Sequence, residues 1–533
     1  MENVTVIIML LFGVAFLSLL SKKYNFPIPI VLVLFGLIIS IVPGLPVIEL
    51  SPDVVFIIFL PPLLYYAAWY TNWNEAKKHA RPIALSAIGL VFFTTLAVAV
   101  VAHFLIPAIS WPVAFLLGAI ISPPDAVAAT SLTKGLGLHP RLITILEGES
   151  LINDASGLIA YKYALATITA GNFVFWEAGI NFLTISTFGV AIGLIVGIVM
   201  YQIHKNFVSD DIIEVTLSLL TPFASYLIAE HFHFSGVLAV VTTGLFMSAR
   251  STKFLTHESR IMSTTVWDVI TNILNGLVFI LIGLQLRQVI NGIDNYSLIS
   301  LVFWGVAISM LVIIVRFLWV IPAAILPRIL SKRIRENEEF DVRNMFVFCW
   351  SGMRGVVSMA AALAVPLTLT NNETFPYRDL VLFLVFCVIL STLLIQGLTL
   401  PLLIKKLKIE PYSIYAEEYA VRNNIASNAI SYIEDNLSLI NDDLLNNIKS
   451  KYEVKYNRLQ KVDLPSNYFG SGKTLGGAIF NEYTKLQIDL LTIERADLEK
   501  MHKGGNVKED IFRKIEKELD LEQTRLSMEV YND

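Results

Sequence analysis

Read from its N-terminus, the chain alternates long apolar runs with short polar breaks. A helix needs about 20 mostly apolar residues to cross the hydrocarbon core of a bilayer. Thirteen runs meet or approach that length: 4–21, 27–43, 53–71, 82–107, 111–133, 142–170, 176–203, 212–230, 235–249, 264–287, 297–326, 341–368 and 379–405, with 235–249 the shortest. After residue 408 the pattern changes. Ala416–Ser450, Ala478–Met501 and Lys508–Val530 space their apolar residues at helical intervals with charges between them, as in a small bundle with one buried face per helix. Residues 462–474 read as a linker, and Gly504-Gly505-Asn506 as a turn. The expected fold class is an all-α polytopic membrane protein of about 13 transmembrane helices plus a C-terminal helical domain. The expected division is 1–408, transmembrane, and 409–533, a water-exposed helical tail.

Two of the runs carry a flaw in the middle. The fifth contains Ile121-Ser122-Pro123-Pro124-Asp125-Ala126; proline removes a backbone donor and clashes with the preceding turn, so the helix should break there. The twelfth contains Ser351-Gly352-Met353-Arg354-Gly355 and then Pro366. Non-helical backbone at membrane depth is tolerated only inside protein or beside a water-filled cavity. If the chain divides into helices 1–6, a linking seventh and 8–13, each broken helix is fifth in its half. Paired interruptions at corresponding positions point to a transporter's binding site.

Composition and charge sharpen this picture. Of 533 residues, 55% are hydrophobic and 16% charged, against about 25% charged in an ordinary soluble protein. Residues 1–408 hold 46 Asp, Glu, Lys and Arg, whereas residues 409–533 hold 38, 16 basic and 22 acidic, a net charge of −6. With the N-terminus outside, nineteen Lys and Arg fall in inner loops and inner helix ends. Only Arg287 and Arg378 fall outside. That asymmetry is the positive-inside pattern, and it makes the tail cytoplasmic. The first run lacks a basic leader and a small-residue cleavage site and is followed by Lys22 and Lys23, so it reads as a retained helix rather than a signal peptide. Cys349 and Cys387 both sit in apolar stretches, with no disulfide framework or metal spacing.

Ionisable groups at the bilayer centre cost at least ~2.5–3.5 kcal/mol each and mark function or a pair. The sixth run contains Gly148-Glu149-Ser150-Leu151-Ile152-Asn153-Asp154-Ala155-Ser156-Gly157. Ser150 and Asp154 are one helical turn apart on one face, and Glu149 and Asn153 form a second pair on the adjoining face. Hard cations take oxygen ligands. A carboxylate, a hydroxyl and the carbonyls freed near Pro124 would supply them. Asp154 is the residue expected to carry the proton: a carboxylate in a partly desolvated cavity can hold H+ near neutral pH, and it cannot hold a cation at the same time. The bland alternative is a carboxylate locked in a structural pair. Arg354 stays charged when buried and needs an anion. Glu149 is its expected partner, in a structural ion pair that touches the ion site only indirectly. Asp125 either caps the N-terminus of its own half-helix or contacts the cation. Asn153 is expected on the broken backbone, less often as a ligand. Lys162 either snorkels or tunes the site. Glu230, His231 and His233 read as a solvated rim, and Asp268 and Gln285 as weak cavity-lining candidates.

The tail string Gly470-Ser471-Gly472-Lys473-Thr474 mimics a phosphate-binding loop. The pattern G-x-x-x-x-G-K-S/T requires glycine at 467, where this chain has Asn467, and no apolar strand precedes it. Nucleotide hydrolysis is therefore not expected, nor is a cofactor, a nucleic-acid partner or a resident metal.

The string around Ser122–Ala128 resembles the S-P-T/P-D-x-V-A signature of the NhaP/NHE-type Na+/H+ antiporters. Gly148–Asp154 resembles their G-E-S/A-L-x-N-D motif, and Gly352-Met353-Arg354-Gly355 their G-x-R-G. The resemblance covers residues 1–408. It implies inverted repeats, two broken helices that cross in a mobile core domain, and a homodimer held by a second domain. It implies Asp154 as the ion- and proton-binding carboxylate, with Asn153 beside it and Ser150, Asp125 and the Pro124 carbonyl coordinating. Glu149 would pair with Arg354. Asn153 in place of a second acid resembles the electroneutral branch. One departure concerns selectivity: Pro124 and Ala126 stand where many members have Thr before the aspartate and Pro after it.

The leading expectation is an electroneutral Na+(Li+)/H+ antiporter of the plasma (inner) membrane, serving pH homeostasis by alternating access, with an unknown regulator of the tail. The alternative is a K+/H+ antiporter with the same site. Less favoured are a non-transporting membrane sensor and an intramembrane hydrolase with an Asp125–Asp154 dyad.

Overall fold

The computed structural model describes residues 2–24, 26–41, 56–71, 73–107, 109–125, 129–130, 138–170, 175–293, 296–330, 341–369, 374–409, 414–436, 450, 477–505 and 507–531. The phosphate-loop-like string 470–474 and the linker 462–474 lie outside the described residues. Among the described residues the structure is helical, with one isolated bridge between Thr368 and Thr374.

In chain order the helices are α1 (Glu2–Tyr24), α2 (Ile28–Ile41), α3 (Leu60–Tyr70), α4 (Trp73–Lys78), α5 (Ala80–Leu105), α6 (Trp111–Ile121), α7 (Pro140–Ala170), α8 (Phe175–Phe207) and α9 (Asp211–His231). Then follow α10 (Gly236–Ser248), α11 (His257–Asn291), α12 (Leu298–Leu330), α13 (Val342–Trp350), α14 (Val356–Leu363), α15 (Arg378–Lys406), α16 (Ile414–Asn436), α17 (Gly477–Lys503) and α18 (Glu509–Tyr531). Among the described residues six contain a stretch long and apolar enough to cross a membrane, in α5, α8, α9, α11, α12 and α15, and four shorter apolar helices accompany them. The fold is that of an all-α polytopic membrane protein.

Helix starts follow the sequence chemistry. Asp210 accepts from the N–H groups of Ile212 and Ile213 at 3.0 Å, Ser235 from Leu238 at 3.2 Å, and Asp341 from Arg343 at 2.9 Å. Each satisfies donors that a helix start leaves without partners. Helices α2 and α11 approach closely because Gly36 and Gly283 carry no side chain. A Cβ on Gly36 would run into the Ile280 carbonyl, and one on Gly283 into that of Val33. Small residues let backbones meet where lipid gives no hydrophobic drive for association.

The chain forms two compact units. One comprises Met1–Phe254 and Thr265–Pro411; the other comprises Leu255–Thr264 and Tyr412–Asp533. In the second unit Val421 and Ile425 of α16, Leu491 and Leu498 of α17, and Ile511, Ile515 and Leu519 of α18 share one apolar core. Leu255–Thr264 belongs with it although it lies far from the tail in sequence. Arg260 donates Nε and Nη2 to Asp520 at 3.0 and 3.1 Å and Nη1 to Glu516 at 2.9 Å.

A crossed pair of broken helices as the candidate ion site

The two flawed runs break where the chemistry requires it. Helix α6 ends at Ile121, and Ser122-Pro123-Pro124-Asp125 continues as irregular backbone. Helices α13 and α14 flank the second break, Ser351–Gly355. The breaks satisfy each other. Asp125 N–H donates to the Met353 carbonyl at 2.7 Å, and the Asp125 carboxylate accepts from Val356 N–H at 3.4 Å, at the start of α14. A carboxylate is favoured there by the free N–H groups and the positive end of the helix dipole. Asp125 therefore caps the half-helix of the other break. Residues 126–128 and 131–137, where its own half-helix was expected, lie outside the described residues.

Arg354 serves the opposite pole. Its Nε donates to the Ile121 carbonyl at 2.9 Å and Nη2 to that of Ser122 at 3.3 Å, and Nη1 turns back onto Gly352. Its backbone N–H is held by the Thr392 hydroxyl at 3.2 Å, one residue before the π-helical turn Leu393–Gly397 of α15. The guanidinium thus sits at the negative C-terminal end of α6, where carbonyls lack intrahelical partners. The two glycines of the Gly-Met-Arg-Gly string make room for this. A Cβ on Gly352 would collide with the Arg316 side chain, and one on Gly355 with the Asp125 carboxylate.

Helix α7 presents the acidic string to the breaks. Asn153 is wholly buried and donates Nδ2 to the Pro124 carbonyl at 3.0 Å. Its Oδ1 is buried without a hydrogen-bond donor. Asp154 is 7% exposed, and the acid whose field bears on it is Asp125. Ser150, half-buried, is one turn away on α7. Gly157 on the same helix seats the ring of Pro123.

Glu149 has a different partner from the one expected. Its two oxygens accept from Nη1 and Nη2 of Arg316 on α12, at 2.6 and 3.0 Å, with both side chains 1% exposed. The same guanidinium reaches the Phe348 carbonyl at 3.3 Å and lies 4.9 Å from the Phe348 ring centre. The expected Glu149–Arg354 pair is therefore corrected to Glu149–Arg316. The reason is competition: the carbonyls at the end of α6 occupy Arg354, and the planar fork of Arg316 matches both carboxylate oxygens. The sequence did carry the signal, since Arg316 is an arginine within the apolar run 297–326 and must find an anion.

The remaining candidates lie elsewhere. Lys162, expected to snorkel or to tune the site, donates to both oxygens of Glu230 at 2.7 and 2.8 Å. Glu230 in turn accepts from Gly236 N–H at 3.2 Å. Glu230 is thus partnered while its side chain stays 29% exposed, at the helix end where His231 and His233 are also exposed. Asp268 accepts from the Tyr66 hydroxyl at 2.6 Å, beside Tyr70 and Trp267. Gln285 is half-buried. No group of three or more His, Cys, Asp or Glu among the described residues could hold a metal ion.

Buried acids on an unbroken helix thus pack against two helix breaks in an all-α polytopic membrane protein. Residues 6–406 match the family described as sodium/hydrogen exchanger, transmembrane, and the chain belongs to that family. It is 32% identical over 483 residues to the sodium, potassium, lithium and rubidium/H+ antiporter of Bacillus pumilus, covering 86% of this chain and 70% of that one. It is 31% identical over 412 residues to the Na+/H+ antiporter ApNhaP of Aphanothece halophytica, covering 76% of this chain and 75% of that one. Among solved structures, the sodium proton antiporter MjNhaP1 of Methanocaldococcus jannaschii at pH 8 shares the fold, with a TM-score of 0.58 at 19% identity. That likeness covers 76% of this chain and 99% of the other.

Proposed function

We propose that this chain is an electroneutral Na+(Li+)/H+ antiporter that works by alternating access, with cation and proton competing at Asp154. One observation carries the reading. Of the two buried acids on α7, Glu149 is neutralised by Arg316. Asp154, buried beside the crossed breaks, accepts no hydrogen bond and forms no ion pair among the described residues. A buried acid with no fixed partner can cycle between a proton and a metal ion; one locked to an arginine cannot. Ser150, Asp125 and the Pro124 carbonyl are the proposed further oxygen ligands. Asn153 fixes the Pro124 backbone at the site, and Glu149 acts indirectly. The exchange stoichiometry of one for one rests on Asn153 standing where a second acid would add a charge. No cofactor is required.

The same reading takes thirteen membrane crossings, the N-terminus outside, a cytoplasmic C-terminus and a homodimer in the plasma membrane serving pH homeostasis. Residues 1–408 are its exchanger domain, and residues 409–533 a regulatory tail. A K+/H+ exchanger with the same site is the second reading. The name of the Bacillus pumilus relative, which includes potassium and rubidium, favours keeping it.

The test is a proteoliposome assay with an internal pH dye and pulses of Na+, Li+ and K+, with and without an imposed voltage. Wild type should respond to Na+ and Li+ independently of voltage. Asp154→Asn should give no response while keeping the wild-type melting profile. A wild-type-sized Na+ response from Asp154→Asn would overturn the assignment, and a response confined to K+ would select the second reading.

A further inference from the structure

Gln396 on α15 is wholly buried, and neither the oxygen nor the nitrogen of its amide has a hydrogen-bond partner. A carboxamide taken out of water without partners is costly. Packing alone does not call for one, since methionine or leucine fills a similar volume. Gln396 also lies in the π-helical turn Leu393–Gly397. Single π-turns inside α-helices are rare and collect at functional sites. The unpartnered amide and the π-turn thus coincide on one residue. The direction of the amide follows from its neighbours. Four positions earlier, the Thr392 hydroxyl accepts from Arg354 N–H at 3.2 Å. Three positions later, the Thr399 hydroxyl accepts from Trp350 Nε1 at 2.8 Å. Residues three and four apart share a helix face, so Gln396 lies on the side of α15 that carries both threonines. Trp350 ends α13 and Arg354 lies within the break Ser351–Gly355. Gln396 therefore faces the stretch of broken backbone between them, Ser351–Met353.

That backbone is where partners must change during exchange. In the exchange reading, on which this inference rests, Asp125 becomes a cation ligand. Here its N–H is spent on the Met353 carbonyl and its carboxylate on Val356 N–H. Loading a cation therefore disturbs the partners of the second break, and its backbone needs other donors and acceptors. A primary amide supplies both at one point. We propose that Gln396 is a positioning residue for exchange: its amide stands unpaired in this conformation and hydrogen-bonds the Ser351–Met353 backbone in the conformation through which the cation passes. A group satisfied in one state and not in the other biases the equilibrium between them by that difference. Gln396 makes the present conformation less stable than its packing alone would allow, and it lowers the climb out of it. It acts through the backbone of the break and does not touch the cation.

Gln396→Met keeps the side-chain volume and removes the amide. The full chain is reconstituted in vesicles to follow Na+-driven pH change, and is melted in parallel without Na+. The variant should melt above wild type, because an unpartnered buried group has been replaced by an apolar one. Its maximal exchange rate should fall roughly 5- to 150-fold, the range set by one buried group left without a partner in the rearranged conformation. The Na+ concentration giving half that rate should stay within about twofold of wild type. Gln396→Asn, which keeps the amide on a shorter stem, should restore part of the rate. A purely structural residue would lower melting temperature and rate together. A cation ligand would raise the half-saturating Na+ concentration and leave the maximal rate. Either pattern overturns the proposal, as does a wild-type rate in Gln396→Met. Failure of both variants to fold also overturns it, since the amide would then be bonded in this conformation. Wild type and Asp154→Asn run alongside. If wild type shows no cation-driven pH change, the exchange reading fails and this inference with it. If wild type responds and Asp154→Asn does not, a full rate in Gln396→Met sinks this inference alone.

Discussion

At the scale of single residues, the site separates two buried acids five positions apart by giving only one of them an arginine. Glu149 is held in a bidentate pair with Arg316, each 1% exposed. Breaking such a pair from one side leaves an uncompensated buried charge and costs about 3–5 kcal/mol. Arg316→Ala should therefore lower the melting temperature of the purified protein far more than a surface substitution does. Glu149→Gln with Arg316→Met, which removes both charges, should recover much of that loss. If the single variant melts like wild type, the pair is not structural. Arg354→Ala acts through neutral acceptors: it strips the Ile121 and Ser122 carbonyls of their donors. Each buried group left without a partner costs about 1–3 kcal/mol, so both stability and exchange should fall.

At the scale of elements, the two broken helices form one assembly because each supplies what the other lacks. Asp125 covers the N–H groups that open α14, and Arg354 covers the carbonyls that end α6. The arrangement depends on Gly355, whose missing Cβ leaves space for the Asp125 carboxylate. Gly355→Ala should push that carboxylate off its cap. Loss of an N-cap is worth about 0.5–2 kcal/mol, so the apparent Na+ affinity in the vesicle assay should weaken roughly 2- to 30-fold, with the fold retained. An unchanged Na+ half-saturation would mean that Asp125 does not report on the site. Both breaks were legible in the sequence, since Pro123-Pro124 removes two successive backbone donors and Gly352 and Gly355 weaken the helix on either side of a charged residue. Their mutual capping was not, because it depends on how two segments more than two hundred residues apart are superposed.

At the scale of the whole molecule, the unit containing the tail also includes Leu255–Thr264, through Arg260 and the acids Glu516 and Asp520. Arg495 shares Asp520 at 2.7 Å. Arg260→Ala should speed amide hydrogen exchange along α18 around residues 516–520 in the full-length protein; unchanged protection would show that the contact does not order the tail.

A second prediction concerns pH. At the α17–α18 turn His502 Nε2 lies 3.3 Å from Glu509, with Arg513 bonded to the same acid at 2.7 Å. Burial works to lower the His502 pKa, but the Glu509 hydrogen bond and charge outweigh it and hold it above its ordinary 6.5. Burial likewise works to raise Glu509, and His502 and Arg513 outweigh it and hold it down. A raised histidine contributes stability that is complete below its unfolded pKa and is lost as pH rises through the folded one. A depressed acid contributes above its unfolded pKa and loses it as pH falls through the folded one. The turn should therefore be tightest in the window between these two transitions. Amide exchange at 507–512, corrected for its intrinsic pH dependence, should increase towards alkaline pH in wild type and show no such step in His502→Gln.

Hydropathy by itself determined that the chain is a polytopic helical membrane protein, because the length of an apolar run and the cost of a buried charge are local quantities. It also located the helix breaks and the string Glu149–Asp154, marked by paired prolines, by glycines flanking a charge and by intramembrane acids, although lone prolines such as Pro222 lie inside continuous helices. Only the tertiary structure decided who partners whom: Arg316 rather than Arg354 for Glu149, Glu230 for Lys162, the start of α14 for Asp125, and Arg260 for the tail acids. A side chain's partner depends on distances between segments remote in sequence and on competition among donors and acceptors brought together there. No one-dimensional pattern records that competition.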